Sequence, residues 1–272
     1  MNNFFKVFKK KLNVIGMIHL EALPGTPNYA GNFNHIVEKA KHEAHVYKKL
    51  NVDGVLIENM HDIPYLQGDN VGYEIIASMT RISADVQRIV SPMPCGIQIL
   101  ASANNQAMAV AKASNLQFVR IEGFVFSHIA DEGWTNSCAG TLLRYRKQID
   151  ADNVLIFADI KKKHSSHAIT ADINLLETAK AAEFFQADGI IITGNSTGHP
   201  IEDNDLNDVQ QSGLPILIGS GCTEYNVEKY YNKCQGVIVG SHFKKNNFWK
   251  EDLNEKAIKI FMEKVIYLNE KK

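Results

Sequence analysis

Eight short runs rich in valine and isoleucine recur along the chain, each closing on polar residues or glycine. They occupy residues 14–19, 54–57, 96–100, 118–121, 154–160, 189–193, 215–218 and 236–240. Runs that are apolar at successive positions suit strands buried on both faces, as in parallel sheets. Between them lie stripes at helical spacing. Ile36, Ala40, Ala44, Tyr47 and Leu50 form one, and Ile75, Met79, Ile82, Val86 and Ile89 a clearer one. Leu175, Ala179, Ala182 and Phe185 form a third, and Leu253, Ala257, Ile260, Lys264 and Leu268 a last one broken by its lysine. The mean step between runs is about 32 residues, one βα unit of a (β/α)8 barrel. A doubly wound open sheet is the alternative. Its glycine fingerprint after the first strand is missing; the segment there reads HLEALPG. No linker or composition shift marks a boundary, so residues 13–272 read as one barrel domain behind a leader, residues 1–12.

Composition narrows the function classes. Apolar residues make up 45% and charged residues 22% of 272 residues, near the globular average and far from a disordered chain. Lys+Arg 29 against Asp+Glu 30 leaves a net charge of −1, which argues against nucleic acid as a partner. The four cysteines, Cys95, Cys138, Cys222 and Cys234, show no CxxC or zinc spacing and read as reduced thiols of a reducing compartment. No apolar run approaches the roughly 20 residues of a membrane helix. The basic leader MNNFFKVFKKKL lacks the arginine and serine of a typical mitochondrial targeting segment. It reads first as a frayed or barrel-covering leader. The cytoplasm is the expected compartment, with the mitochondrion as the alternative.

A barrel places its chemistry at the C-terminal ends of the strands. His19 and Glu21 fall there, as do Glu58, Asn59, Arg120, Glu122, Asp131, Glu132, Asp159, Lys161, Lys163, His164 and Thr193. Any one of them has a structural explanation, but buried charges are costly unless paired or used, so the set predicts a polar pocket. Asp159 and Lys161, two apart on one strand, are expected to point inward together as the central pair, with Glu58 as a second carboxylate for separate acid and base roles. His19 and Asp131 complete the expected catalytic group. Asn59, Arg120, Glu122, Lys163, His164 and Thr193 are expected to bind substrate. Gly219, Ser220 and Gly221, then Gly240 and Ser241, sit at the last two strand ends, just before expected helices. Small residues there let backbone N–H groups approach a phosphate. Gly194 and the following Asn195, Ser196, Thr197 and Gly198 extend that cradle or close over it. A divalent cation is compatible with the acids, but no ligand spacing demands a metal or other cofactor.

Several segments together resemble the BtpA/SgcQ family. They are VIGMIHLEALPGTPNY at 14–29, VDGVLIENMHDIPY at 52–65, FVRIEGF at 118–124, ADEG at 130–133, LLRYR at 142–146 and KKH at 162–164. ADGIIITGNSTG at 187–198, ILIGSGCTEYNV at 216–227 and GVIVGSHFKK at 236–245 complete the order. The resemblance spans roughly residues 13–261 and implies a TIM barrel of the ribulose-phosphate-binding type. The family's labels point two ways, to a photosystem I biogenesis factor and to a nucleosidase. The matching positions imply His19, Glu58, Asn59, Arg120, Asp131, Asp159, Lys161, Lys163, His164, Thr193 and the two glycine turns as site residues. Two positions depart from the family's pattern. The segment ILASANN lacks the arginine usual after the third strand, and Glu122 stands where the family tends to carry asparagine.

The expected function is that of an enzyme on a small phosphorylated sugar or nucleoside-type metabolite, by glycosidic cleavage or by isomerase or lyase chemistry. A non-catalytic assembly factor for a membrane complex is the alternative, but a scaffold has no need of ionisable groups gathered in a barrel mouth. A barrel that binds an anion only to sense it is a third reading. Pairing through the outer helices would give a homo-oligomer.

Overall fold

The eight runs become eight parallel strands that close on themselves in sequence order. The computed structural model describes residues 3–162, 164–194, 201 and 203–271. The strands are β1 (Asn13–His19), β2 (Gly54–Glu58), β3 (Cys95–Gln98), β4 (Phe118–Ile121), β5 (Leu155–Lys161), β6 (Gly189–Ile192), β7 (Ile216–Ile218) and β8 (Gly236–Val239). β8 pairs back onto β1, Asn13 opposite Gly236, which closes the ring. The (β/α)8 expectation therefore holds.

The helical stripes become α2 (Phe33–Lys49), α3 (Tyr73–Val90), α6 (Leu175–Phe184) and α9 (Glu255–Glu270), preceded by a one-turn α1 (Phe4–Val7). Their apolar faces pack on the outside of the strands in one continuous core. The alanine-rich α4 (Asn104–Ala113) and the basic α5 (Ala139–Gln148) carry weaker stripes. Two shorter helices, α7 (Asp203–Val209) and α8 (Val227–Tyr230), complete the outer layer.

Inside the ring a second apolar cluster gathers Ile15, Met17, Leu56, Phe118, Leu155, Phe157, Ile191, Leu217 and Ile238. Strand side chains alternate, so the next inward position up each strand is two residues on. Met17 leads to His19, Leu56 to Glu58, Phe118 to Arg120 and Phe157 to Asp159. The barrel is thus apolar below and polar above. Gly96 keeps the lower layer possible, because a Cβ there would stand 2.2 Å from the Phe118 ring.

The N-terminal residues are part of this interior. Phe4 and Phe8 are fully buried and join the inner cluster, Phe4 5.7 Å from Phe157 and Phe8 5.7 Å from Phe118 between ring centres. The segment therefore plugs the N-terminal end of the barrel.

Candidate active site

The C-terminal mouth opens into a cavity of about 560 Å³. Its lining includes His19, Glu58, Arg120, Glu122, Asp131, Asp159, His164, Gly219, Ser220, Gly221, Gly240 and Ser241, all anticipated at the strand ends. Gln98, Glu132, Lys162, Tyr65 and His242 join them.

Arg120 and Asp159 form the centre. Nε and Nη2 of Arg120 donate to Oδ2 and Oδ1 of Asp159 at 2.7 and 3.1 Å, with both side chains buried. Burial works against the guanidinium's charge, but Asp159, Glu58 and Glu122 hold its pKa well above the ordinary arginine range. Beside them His19 Nε2 stands 3.7 Å from Glu58 Oε2.

The anticipated inward pairing of Asp159 with Lys161 is corrected. Asp159 sits opposite Ile191 and Lys161 opposite Ile192, so one extra residue bulges out of β5 between them. A bulge reverses the alternation beyond it. Lys161 turns outward and bonds Asp205 at 2.7 Å. Lys162 takes the inward place instead, bonding Glu132 at 2.9 Å and standing 3.8 Å from Glu122. Burial lowers the pKa of Lys162, but Glu122 and Glu132 outweigh it and hold the ammonium above its usual range. Glu122 moves up from the carboxylate range because it is buried, with Lys162 and the Ser102 N–H pulling the other way.

Two further residues expected at the site serve the walls. Asn59 accepts the Leu100 N–H at 2.7 Å and donates to Asp62 at 2.8 Å, tying the loops after β2 and β3 together. Thr193 donates its hydroxyl to the Lys161 carbonyl at 2.7 Å and is not among the residues that line the cavity. Lys163 and Asn195, Ser196, Thr197 and Gly198 lie outside the described residues.

The glycine turns line the side of the cavity formed by β7 and β8. A Cβ on Gly219 would stand 2.6 Å from the Ile191 side chain, and one on Gly240 3.0 Å from His19. Gly221 has φ +68°, a conformation that favours glycine. Gly194 stands behind this wall and donates its N–H to Ser220 Oγ at 2.8 Å. The helices expected directly after both turns are largely missing. The single-turn α8 begins six residues past Gly221, and a 3₁₀ turn (Ser241–Phe243) follows β8. Backbone amides, rather than a long helix dipole, are what these turns offer an anion. His242 Nε2 lies 2.6 Å from Glu224 Oε2, which joins the two loops.

A small antiparallel sheet covers the β4–β5 side. His128–Ala130 pairs with Gly133–Thr135 and with Ser165–Ser166, and its turn carries Asp131 and Glu132 to the cavity. Among the described residues no group of three or more His, Cys, Asp or Glu side chains is arranged to hold a metal ion. None of the described helices is long and apolar enough to cross a membrane.

Gln98, Tyr65, Lys162 and His242 are among the lining residues that sequence reasoning missed. Only strand phase marks Gln98, two positions above the inward Gly96.

Comparison with known proteins fits this picture. The family model described as the BtpA family matches residues 10–266. An uncharacterized mitochondrial protein of Caenorhabditis elegans is 47% identical over 257 residues, spanning 93% of this chain and 92% of its own. The photosystem I biogenesis protein BtpA of Synechocystis is 32% identical over 263 residues, 96% of this chain and 90% of its own. Among solved structures, a thiamine phosphate pyrophosphorylase from Pyrococcus furiosus shares the barrel with a TM-score of 0.58 at 15% identity, covering 96% of this chain and 98% of that one. The fold is a TIM barrel.

Proposed function

The chain belongs to the BtpA family, and from that premise we propose that it is an enzyme acting on a small phosphorylated sugar or nucleoside-type metabolite. One observation carries the reading. A single cavity is lined on one side by the tight Gly219–Gly221 and Gly240–Ser241 turns and on the other by a buried set of acids and bases. The phosphate end would rest on the turns, as barrels often hold phosphate after strands seven and eight. The reacting end would face Glu58, Glu122, Asp159 and Lys162.

The acid–base roles follow from environment. Asp159 is clamped by two charge-assisted hydrogen bonds from Arg120, which fix its carboxyl group in the cavity. Glu122, pushed up by burial, keeps a proton to higher pH and is suited to give it to a leaving group. Such a pair serves glycosidic cleavage or proton transfer in an isomerase or lyase. The Synechocystis relative's name brings in the assembly-factor reading, but an assembly role makes no use of these internal groups. The C. elegans relative's name favours the mitochondrion. The burial of Phe4 and Phe8 favours a working protein that retains its N-terminal residues in either compartment.

A thermal-shift screen with inorganic phosphate, ribose phosphates, nucleosides and nucleotides tests the proposal on wild type and Ser220→Asp. Bound ligand raises the melting temperature by mass action. Stabilisation of wild type alone by phosphorylated ligands, followed by turnover that Asp159→Asn abolishes, supports the enzyme. No shift with any of them removes its main support.

A further inference from the structure

We infer that the end of the ligand opposite the glycine turns is uncharged or cationic and rich in hydrogen-bond donors, and that Gln98 reads it. This rests on the glycine turns being the phosphate end. It narrows the substrate class to compounds with one phosphate and a polyol, sugar or amino group at the far end. A second phosphate or a carboxylate there is rejected.

Charge is the first reason. Among the described residues lining the cavity, five carboxyl groups face two permanent cations, Arg120 and Lys162. Both cations are already engaged. Arg120 has two bonds to Asp159, and Lys162 lies between Glu132 and Glu122. All of these side chains are buried. Drawing either cation onto a substrate anion would strip a buried carboxylate of its partner, which is strongly unfavourable. The acid excess therefore repels a second anion and welcomes hydroxyl or ammonium donors.

Gln98 is the second, independent reason. It ends β3, with Glu58 opposite it in register, and lines the cavity with 2% of its surface exposed. Its Oε1 is buried with no hydrogen-bond partner. Buried polar atoms in folded proteins nearly always find partners. Ionised carboxylates nearby are acceptors only and cannot satisfy it, and no side chain of the described residues donates to it. A ligand hydroxyl or amine can.

Isothermal titration of the full chain tests this with matched pairs of ligands. The pairs are glycerol 3-phosphate against 3-phosphoglycerate and ribose 5-phosphate against ribulose 1,5-bisphosphate, with inorganic phosphate as reference. The neutral-ended member of each pair should bind about tenfold or more tighter than its doubly anionic partner, a difference well within what one desolvated charge contributes. Gln98→Leu should weaken ribose 5-phosphate about tenfold, as one lost hydrogen bond does, and leave inorganic phosphate within about twofold. Gln98→Met, which keeps the length of the side chain, replaces Gln98→Leu if that variant does not fold. Equal binding within the ligand pairs overturns the inference on wild type alone, whatever the variants do. Gln98 variants that bind ribose 5-phosphate normally overturn the role of Gln98. If inorganic phosphate and every phosphorylated probe fail to bind, the phosphate reading itself fails and this inference with it. If inorganic phosphate binds but the far end shows no preference, only the inference fails.

Discussion

Ser102 donates its backbone N–H to Glu122 Oε2 at 2.9 Å, and so joins the loop after β3 to the end of β4. Asn104 adds a second tie, donating to the Glu122 carbonyl at 2.7 Å. These are the two places where the sequence reading expects a departure from the family's pattern, and they touch. The loop after β3 and Glu122 thus form one unit in this wall of the cavity.

Glu122→Gln should trade activity for stability. Burial raises the pKa of Glu122 in the folded state, so folding favours its protonated form. That contribution is present below the unfolded value of 4.5 and is lost as pH rises through the folded value. Glutamine mimics the protonated acid at every pH. Urea midpoints at pH 5 and pH 8 should show the variant gaining on wild type at the higher pH, while turnover falls by about 10²–10⁴-fold if this group is the general acid. A variant whose relative stability drops at pH 8 contradicts the assignment.

The Arg120–Asp159 pair should behave as a buried unit. Arg120→Met and Asp159→Leu should each cost about 3–5 kcal/mol, because each strands the opposite charge. The double variant should cost far less than their sum. Denaturant midpoints of the four proteins give the coupling directly, and simple additivity would show that the pair is not coupled.

The order of the strands and their inward phase were readable because parallel strands buried on both faces leave continuous apolar runs. Residues such as His19, Glu58, Arg120 and Asp159 then follow from counting by two. The count fails at Lys161, because a bulge is set by the pairing of β5 with β6 and leaves no periodic trace. Gln98 escaped because an uncharged amide at the end of an apolar run looks like wall. The leader reads from sequence as frayed or barrel-covering, and the burial of Phe4 and Phe8 in the inner cluster bears out the second.

The bulge makes neighbouring lysines unequal. Lys162→Met should lower activity by about 10²-fold or more, since it removes an inward charge beside Glu122 and Glu132. Lys161→Met loses only a partly exposed pair with Asp205, worth up to about 1 kcal/mol, and should leave the kinetics nearly unchanged. Equal losses in kcat/KM would mean that both lysines reach the substrate.

The N-terminal plug should matter to folding and not to binding. Phe8→Ala should destabilise the chain by about 3–5 kcal/mol, as expected of a buried phenylalanine between aromatic neighbours. The ligand cavity lies at the opposite end of the barrel, so the Kd for any phosphorylated ligand found in the screen should stay within about twofold, well under the 1.4 kcal/mol of a tenfold change. Unchanged chemical denaturation would show that the segment is dispensable packing.

His128 should make the small sheet over the cavity sensitive to acid. Burial, then His167 and Lys162, push its pKa from 6.5 down to about 4. Its ring lies 5.4 Å from that of His167, and its Nε2 is buried with no hydrogen-bond partner. Below pH 6.5 the unfolded chain binds a proton that the folded chain refuses, so stability is full above that value and declines towards pH 4. Solvent near the mouth screens part of the effect, which leaves about 1–2 kcal/mol. His128→Gln removes this term, so the loss of stability between pH 7.5 and pH 5 should be smaller in the variant than in wild type. Parallel pH profiles for the two proteins would mean that His128 takes up its proton in the folded state as readily as in the unfolded chain.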